Sequence, residues 1–131
     1  MNDEIKLVLG EFCFTWDDNK AKANVRKHKV LFEVAAEVFL DKYAVDFPDE
    51  LHSEDEDRYK IIGRTRNKTL ILSVIYVERN GVDNVELYRI ISAREADREE
   101  KKFYGLELPG RLPAKQRRSN SPYDDNQRRR Y

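Results

Sequence analysis

Apolar positions change their period several times along the chain, and each change marks an element. Ile5–Leu9 alternates weakly and Phe12-Cys13-Phe14-Thr15-Trp16 is a short aromatic run, so both predict strands. Asp17 then stands where it can cap a helix, with Asp18 adding negative charge to the first turn. That helix is predicted to run to about His28. Leu31 to Leu40 predicts a second helix. Phe32, Ala35, Ala36 and Phe39 repeat at i, i+3, i+4 and i+7, while Leu31, Val34 and Val38 make the segment apolar almost all round and therefore buried. Lys29 and Val30 leave only a tight connection between the two helices.

Strand character returns at Tyr43–Phe47 and stops at Pro48. The acidic stretch Asp49–Asp57 predicts a loop. Three strand signals follow, Arg58–Thr65, Thr69–Glu78 and Val85–Ile91, with Asn67-Lys68 and Asn80-Gly81 in the short connections. Such turns predict an antiparallel meander. Ser92-Ala93-Arg94-Glu95 has the form of a capping box and predicts a helix from Ser92 to Tyr104, stopped by Gly105. The expected architecture is an α+β domain, a small antiparallel sheet with packed helices in the order β-α-α-β-β-β-α. It spans 12–106, after a lead-in over 1–11. Residues 107–131 carry Pro109, Pro113 and Pro122 among Ser, Asn, Gln and Arg, and predict a disordered basic tail.

Composition narrows the picture. At 131 residues, 38% charged and 40% hydrophobic, the chain suits one small core. Its longest apolar run, Leu70 to Val77, falls far short of the roughly 20 residues of a membrane-spanning helix. No basic segment followed by an apolar stretch opens the chain, and the single Cys13 offers no internal disulfide. A cytoplasmic location without membrane association is expected. The formal charge is zero, but residues 105–131 carry a net +4 and the first 104 a net −4. Whole-chain charge therefore makes no case for nucleic acid, and local clusters must carry it.

Metal motifs are absent: His28 and His52 are far apart in sequence, and Glu54, Asp55, Glu56 and Asp57 lack the spacing of a calcium loop. No cofactor is expected. On the first helix, Lys20, Asn24 and Lys27 share one face beside the apolar Ala21 and Val25, with His28 at the edge of that column. His28 is either a residue favoured by the helix C-terminus or an acid or base beside a row of phosphate-binding groups. Arg58, Arg64 and Arg89 interrupt apolar strands. Each alone could sit on a solvent face, but several together would make an anion-binding surface. Arg94 falls at N2 of the expected last helix, where a cation is unfavourable unless a carboxylate or a phosphate offsets it. His52-Ser53-Glu54 is either a solvated loop or a proton donor and acceptor pair. Trp16 is either core or a base-stacking platform.

The segment Phe14–His28, with Val30, Phe32, Glu33, Ala35 and Phe39, resembles the opening of the BrnT toxins. So do His52-Ser53-Glu54 leading to Arg58-Tyr59, Ile62-Gly63-Arg64, Tyr76-Val77-Glu78-Arg79, and Arg89-Ile90-Ile91-Ser92-Ala93-Arg94 with Glu100 and Tyr104. The resemblance covers about 12–104. It implies a RelE-like ribonuclease fold and metal-independent RNA cleavage by the ribose 2′-OH, which halts translation. It also implies neutralisation by a BrnA-like antitoxin, which would carry the only contact with operator DNA. That chemistry needs a base, an acid and cations. Arg64 and Arg94 are the expected phosphate and transition-state binders. His28, His52 and Glu54 are the expected proton-transfer groups. Lys20, Lys27, Arg58 and Arg89, with Trp16, are expected to hold RNA. The other class of function is a catalytically inactive module that keeps only the antitoxin-binding surface. Lys29 departs from the family, which commonly has Gly there, and would be strained in a left-handed helix cap.

Overall fold

The computed structural model describes residues 4–49, 56–67, 69–80 and 86–105. The predicted tail over 107–131 and the His52-Ser53-Glu54 motif lie outside them. The described elements run β1 (Glu4–Leu9), β2 (Phe12–Asp17), α1 (Asp18–His28), α2 (Phe32–Ala36) and a 3₁₀ turn (Glu37–Leu40). Then come β3 (Val45–Pro48), β4 (Arg58–Arg64), β5 (Ile71–Asn80), β6 (Glu86–Glu95) and α3 (Arg98–Gly105). This is the expected α+β class. The strands form one six-stranded sheet in the order β1-β2-β6-β5-β4-β3.

The meander β4-β5-β6 is antiparallel as predicted. At its first turn, the Asn67 side-chain oxygen accepts from the Thr69 backbone N–H at 3.1 Å and from the Thr65 hydroxyl at 2.7 Å. One pairing departs from a purely antiparallel sheet: β2 lies parallel to β6, with Phe14 opposite Tyr88 and Thr15 opposite Arg89. Alternation sends Phe12, Phe14 and Trp16 to the face covered by α1, α2 and the 3₁₀ turn. There they join Phe32, Phe39, Tyr76 and Tyr88 in a buried aromatic core. Phe39 meets Phe14 edge-on at 4.9 Å and Tyr76 at 5.0 Å.

Two predicted helices are corrected. The segment Leu31–Leu40 is α2 followed by a tighter 3₁₀ turn. That turn packs on β4 at Gly63, where an added Cβ would meet the Val38 carbonyl and the Val38 and Ala44 side chains at 3.1 Å. The capping box proposed at Ser92 is strand: β6 runs on to Glu95 because Val74, Ser73 and Leu72 of β5 still pair with it. The true box lies five residues later. Asp97 accepts from the Glu100 N–H and Glu100 accepts from the Asp97 N–H, both at 2.9 Å.

At the end of α1, Lys29 takes the left-handed conformation, φ 64°, and its N–H donates to the Val25 carbonyl at 2.9 Å. The helix thus ends as a glycine would end it. Asn24 does not belong to a polar column. It is buried, donating to the Val30 and Ala93 carbonyls at 2.9 and 2.8 Å and accepting from the Ala93 N–H at 3.0 Å. This amide fastens α1 to β6.

Candidate active site

Arg64 ends β4, immediately after Gly63. Its backbone N–H donates to Asp41 Oδ2 at 2.8 Å, and the Tyr104 hydroxyl donates to the same oxygen at 2.7 Å. Asp41 Oδ1 accepts from the Tyr43 N–H at 2.9 Å. One carboxylate therefore joins the connection before β3, the end of β4 and the last turn of α3. The Arg64 guanidinium lies over the Tyr104 ring, 5.4 Å from its centre. These residues, with Lys42, Tyr43 and Arg66, line a cleft of about 450 Å³. Burial pushes the Tyr104 phenol up to about 12. The bond to Asp41 adds to the rise, and neighbouring Arg64 opposes it. The hydroxyl stays protonated at neutral pH, beside a permanent cation. A phosphate entering the cleft would meet the Arg64 guanidinium beside a hydroxyl whose proton is directed at Asp41.

Arg94 is corrected in place and partner. It lies on β6, not at N2 of a helix, and its fork closes on Glu100 with contacts of 2.7 and 2.9 Å. Glu100 also accepts from Lys60 at 2.7 Å and Ser73 at 3.1 Å. Burial alone would push this carboxyl up. Arg94, Lys60 and the Asp97 N–H outweigh it and hold Glu100 at about 2. The carboxylate alternative for offsetting Arg94 is the one observed, and the cluster anchors α3 on the sheet.

The other expected residues are spread over the molecule. Trp16 is 1% exposed and packs edge-on against Phe32, so its ring has no face to offer a base, and core packing replaces the stacking role. Lys20 and Lys27 are exposed on α1, with His28 half-buried at its end. That helix packs chiefly on β6 and β2. Arg89 pairs with Glu4, which also accepts from Thr15. Burial opposes this Glu4 carboxylate, but those bonds outweigh it and lower its pKa. Arg58 and Arg89 both flank Val77 on the sheet face opposite the main core, about 10 Å apart across two strand spacings.

Arg58 and Arg64 are at opposite ends of the seven-residue β4, about 20 Å apart. The chain flanking His52 and Glu54 lies at the Arg58 end, where the Asp49 N–H donates to the Arg58 carbonyl at 2.7 Å. Sequence reasoning missed Asp41 altogether, and noted Tyr104 only through the resemblance. No local pattern links them, since the Asp41–Tyr104 contact spans 63 residues.

Among the described residues, no three His, Cys, Asp or Glu side chains converge as a metal site requires, and no helix is long and apolar enough to cross a membrane. A family model described as "Ribonuclease toxin, BrnT, of type II toxin-antitoxin system" matches residues 16–100. No curated protein matches the chain.

Proposed function

Because the chain belongs to the BrnT family of ribonuclease toxins from type II toxin–antitoxin systems, we propose that it is a metal-independent endoribonuclease. It cleaves RNA, thereby arrests translation, and is silenced by a BrnA-like antitoxin that alone carries the contact with operator DNA. The observation that supports this reading best is the convergence of Arg64, Tyr104 and Asp41 in one cleft. Arg64 receives the scissile phosphate and opposes the charge that builds on its oxygens. The attacking 2′-OH passes its proton to the Tyr104 oxygen as the Tyr104 proton moves to Asp41. Attack on the adjacent phosphorus forms a 2′,3′-cyclic phosphate and expels the 5′-oxygen, which takes a proton from water, and the hydroxide left behind takes the proton from Asp41 to restore its carboxylate.

Single-turnover cleavage of RNA by the purified toxin, with and without EDTA, tests the reading. EDTA should leave the rate unchanged. Arg64→Ala should lower it by about a hundredfold, the usual cost of one transition-state contact, with an unchanged melting temperature. Tyr104→Phe should also impair cleavage. His28→Ala should cleave at close to the wild-type rate; its loss of activity would move the base to α1. Likewise, inactivity of His52→Ala or Glu54→Ala would assign proton transfer to the His52-Ser53-Glu54 segment. Full activity in Arg64→Ala would remove the cleft from catalysis.

A further inference from the structure

The cleft at Arg64 has a second wall that catalysis does not use. Tyr43 is 65% exposed, the more conspicuous because Phe14, Trp16, Phe32, Phe39, Tyr76 and Tyr88 are all buried. Its backbone is held by Asp41, so the ring stands on a fastened turn. The Lys42 ammonium lies over the ring at 5.3 Å from its centre. Arg66 follows Arg64 by two residues, and its backbone N–H donates to Glu37 at 3.0 Å. The two cleft carboxylates, Asp41 and Glu37, thus each accept from backbone N–H groups of the cleft wall. Around them stand the cationic side chains of Lys42, Arg64 and Arg66. An exposed aromatic face ringed by cations is the arrangement that takes an unpaired base together with its phosphates.

We propose that Tyr43 stacks a nucleobase of single-stranded RNA adjacent to the phosphate held at Arg64, with Lys42 and Arg66 taking the flanking backbone. The subsite deepens the ribonuclease reading and rests on it. It restricts the substrate to nucleotides that can unstack, and excludes continuous duplex. A volume of about 450 Å³ is within the range of small-ligand clefts.

The test uses a short RNA carrying 2-aminopurine and 2′-O-methyl groups, which cannot attack the phosphate. Stacking quenches 2-aminopurine fluorescence. The full chain, free of antitoxin, should bind and quench this probe at one position. Tyr43→Phe should do the same, while Tyr43→Ala should lose the quench and bind roughly tenfold more weakly or worse. Tyr43→Ala should keep the wild-type melting temperature, since the side chain is exposed. In cleavage of unmodified RNA, the loss should appear in KM more than in kcat. Equal quenching and affinity in Tyr43→Ala would overturn the subsite while leaving Arg64-dependent cleavage standing. A wild-type chain that neither binds the probe nor cleaves RNA would overturn both readings. If Tyr43→Ala binds RNA normally but no longer binds the antitoxin, the face belongs to protein recognition and the proposal fails.

Discussion

Lys29 holds a backbone conformation that glycine would hold at lower cost. At φ 64° a side chain crowds its own carbonyl, a penalty of about 1 kcal/mol. Lys29→Gly should therefore raise the melting temperature by a few degrees in a thermal denaturation. An unchanged value would mean that the Lys29 ammonium, which donates to the Arg26 carbonyl at 3.2 Å, compensates fully. Arg94 is the opposite case, a side chain that the fold cannot spare. Arg94→Ala would leave Glu100, 6% exposed, with its charge only partly met by Lys60. A loss of about 3 kcal/mol is expected in urea unfolding. Arg94→Lys should lose less, because it keeps the charge but not the fork. Arg94 was legible as a cation that needed an anion. That the anion is Glu100 depends on where the last helix begins, which the residue alone does not determine.

At the scale of elements, that starting point is where local pattern misled. Ser92-x-x-Glu95 and Asp97-x-x-Glu100 are both capping boxes by composition. Ala93 settles the matter through distant partners, β5 on one side and the Asn24 amide on the other, which keep it in a strand. Elsewhere the types followed from period, caps and turn residues, apart from the second half of the Leu31–Leu40 helix, which tightens into a 3₁₀ turn against β4. The parallel placement of β2 beside β6 left no trace in either segment, since it depends on every element between them. The fastening of α3 also sets a pH dependence. Glu100 titrates at about 2 when folded against an ordinary 4.5. Its contribution is complete above the unfolded value and is lost as pH falls from about 4.5 toward 2. Acid titration should cost the wild type about 2 kcal/mol more over that window than Glu100→Gln, after allowance for screening. Equal acid sensitivity in the two proteins would show that Glu100 is not held low.

For the whole molecule, the candidate site was half legible. Arg64 stood out as a charge in an apolar strand, whereas Asp41, Tyr43 and Tyr104 become neighbours only when the 3₁₀ turn, β4 and α3 are packed. Induced expression of the chain alone should arrest growth, and co-expression of its antitoxin should relieve the arrest. Normal growth at high levels of folded protein would favour a binding module without catalysis. The parallel pair β2–β6 also bears on how the chain is made. Cys13 waits for Leu87, and at roughly 5–20 residues per second that is several seconds of synthesis. During this interval the β1–β2 hairpin and its aromatic face have no sheet to join. Tyr104 is made later still, so the cleft has no complete wall until nearly all of the described residues have been translated. The parallel pair thus delays closure of the sheet until most of its strands have been made.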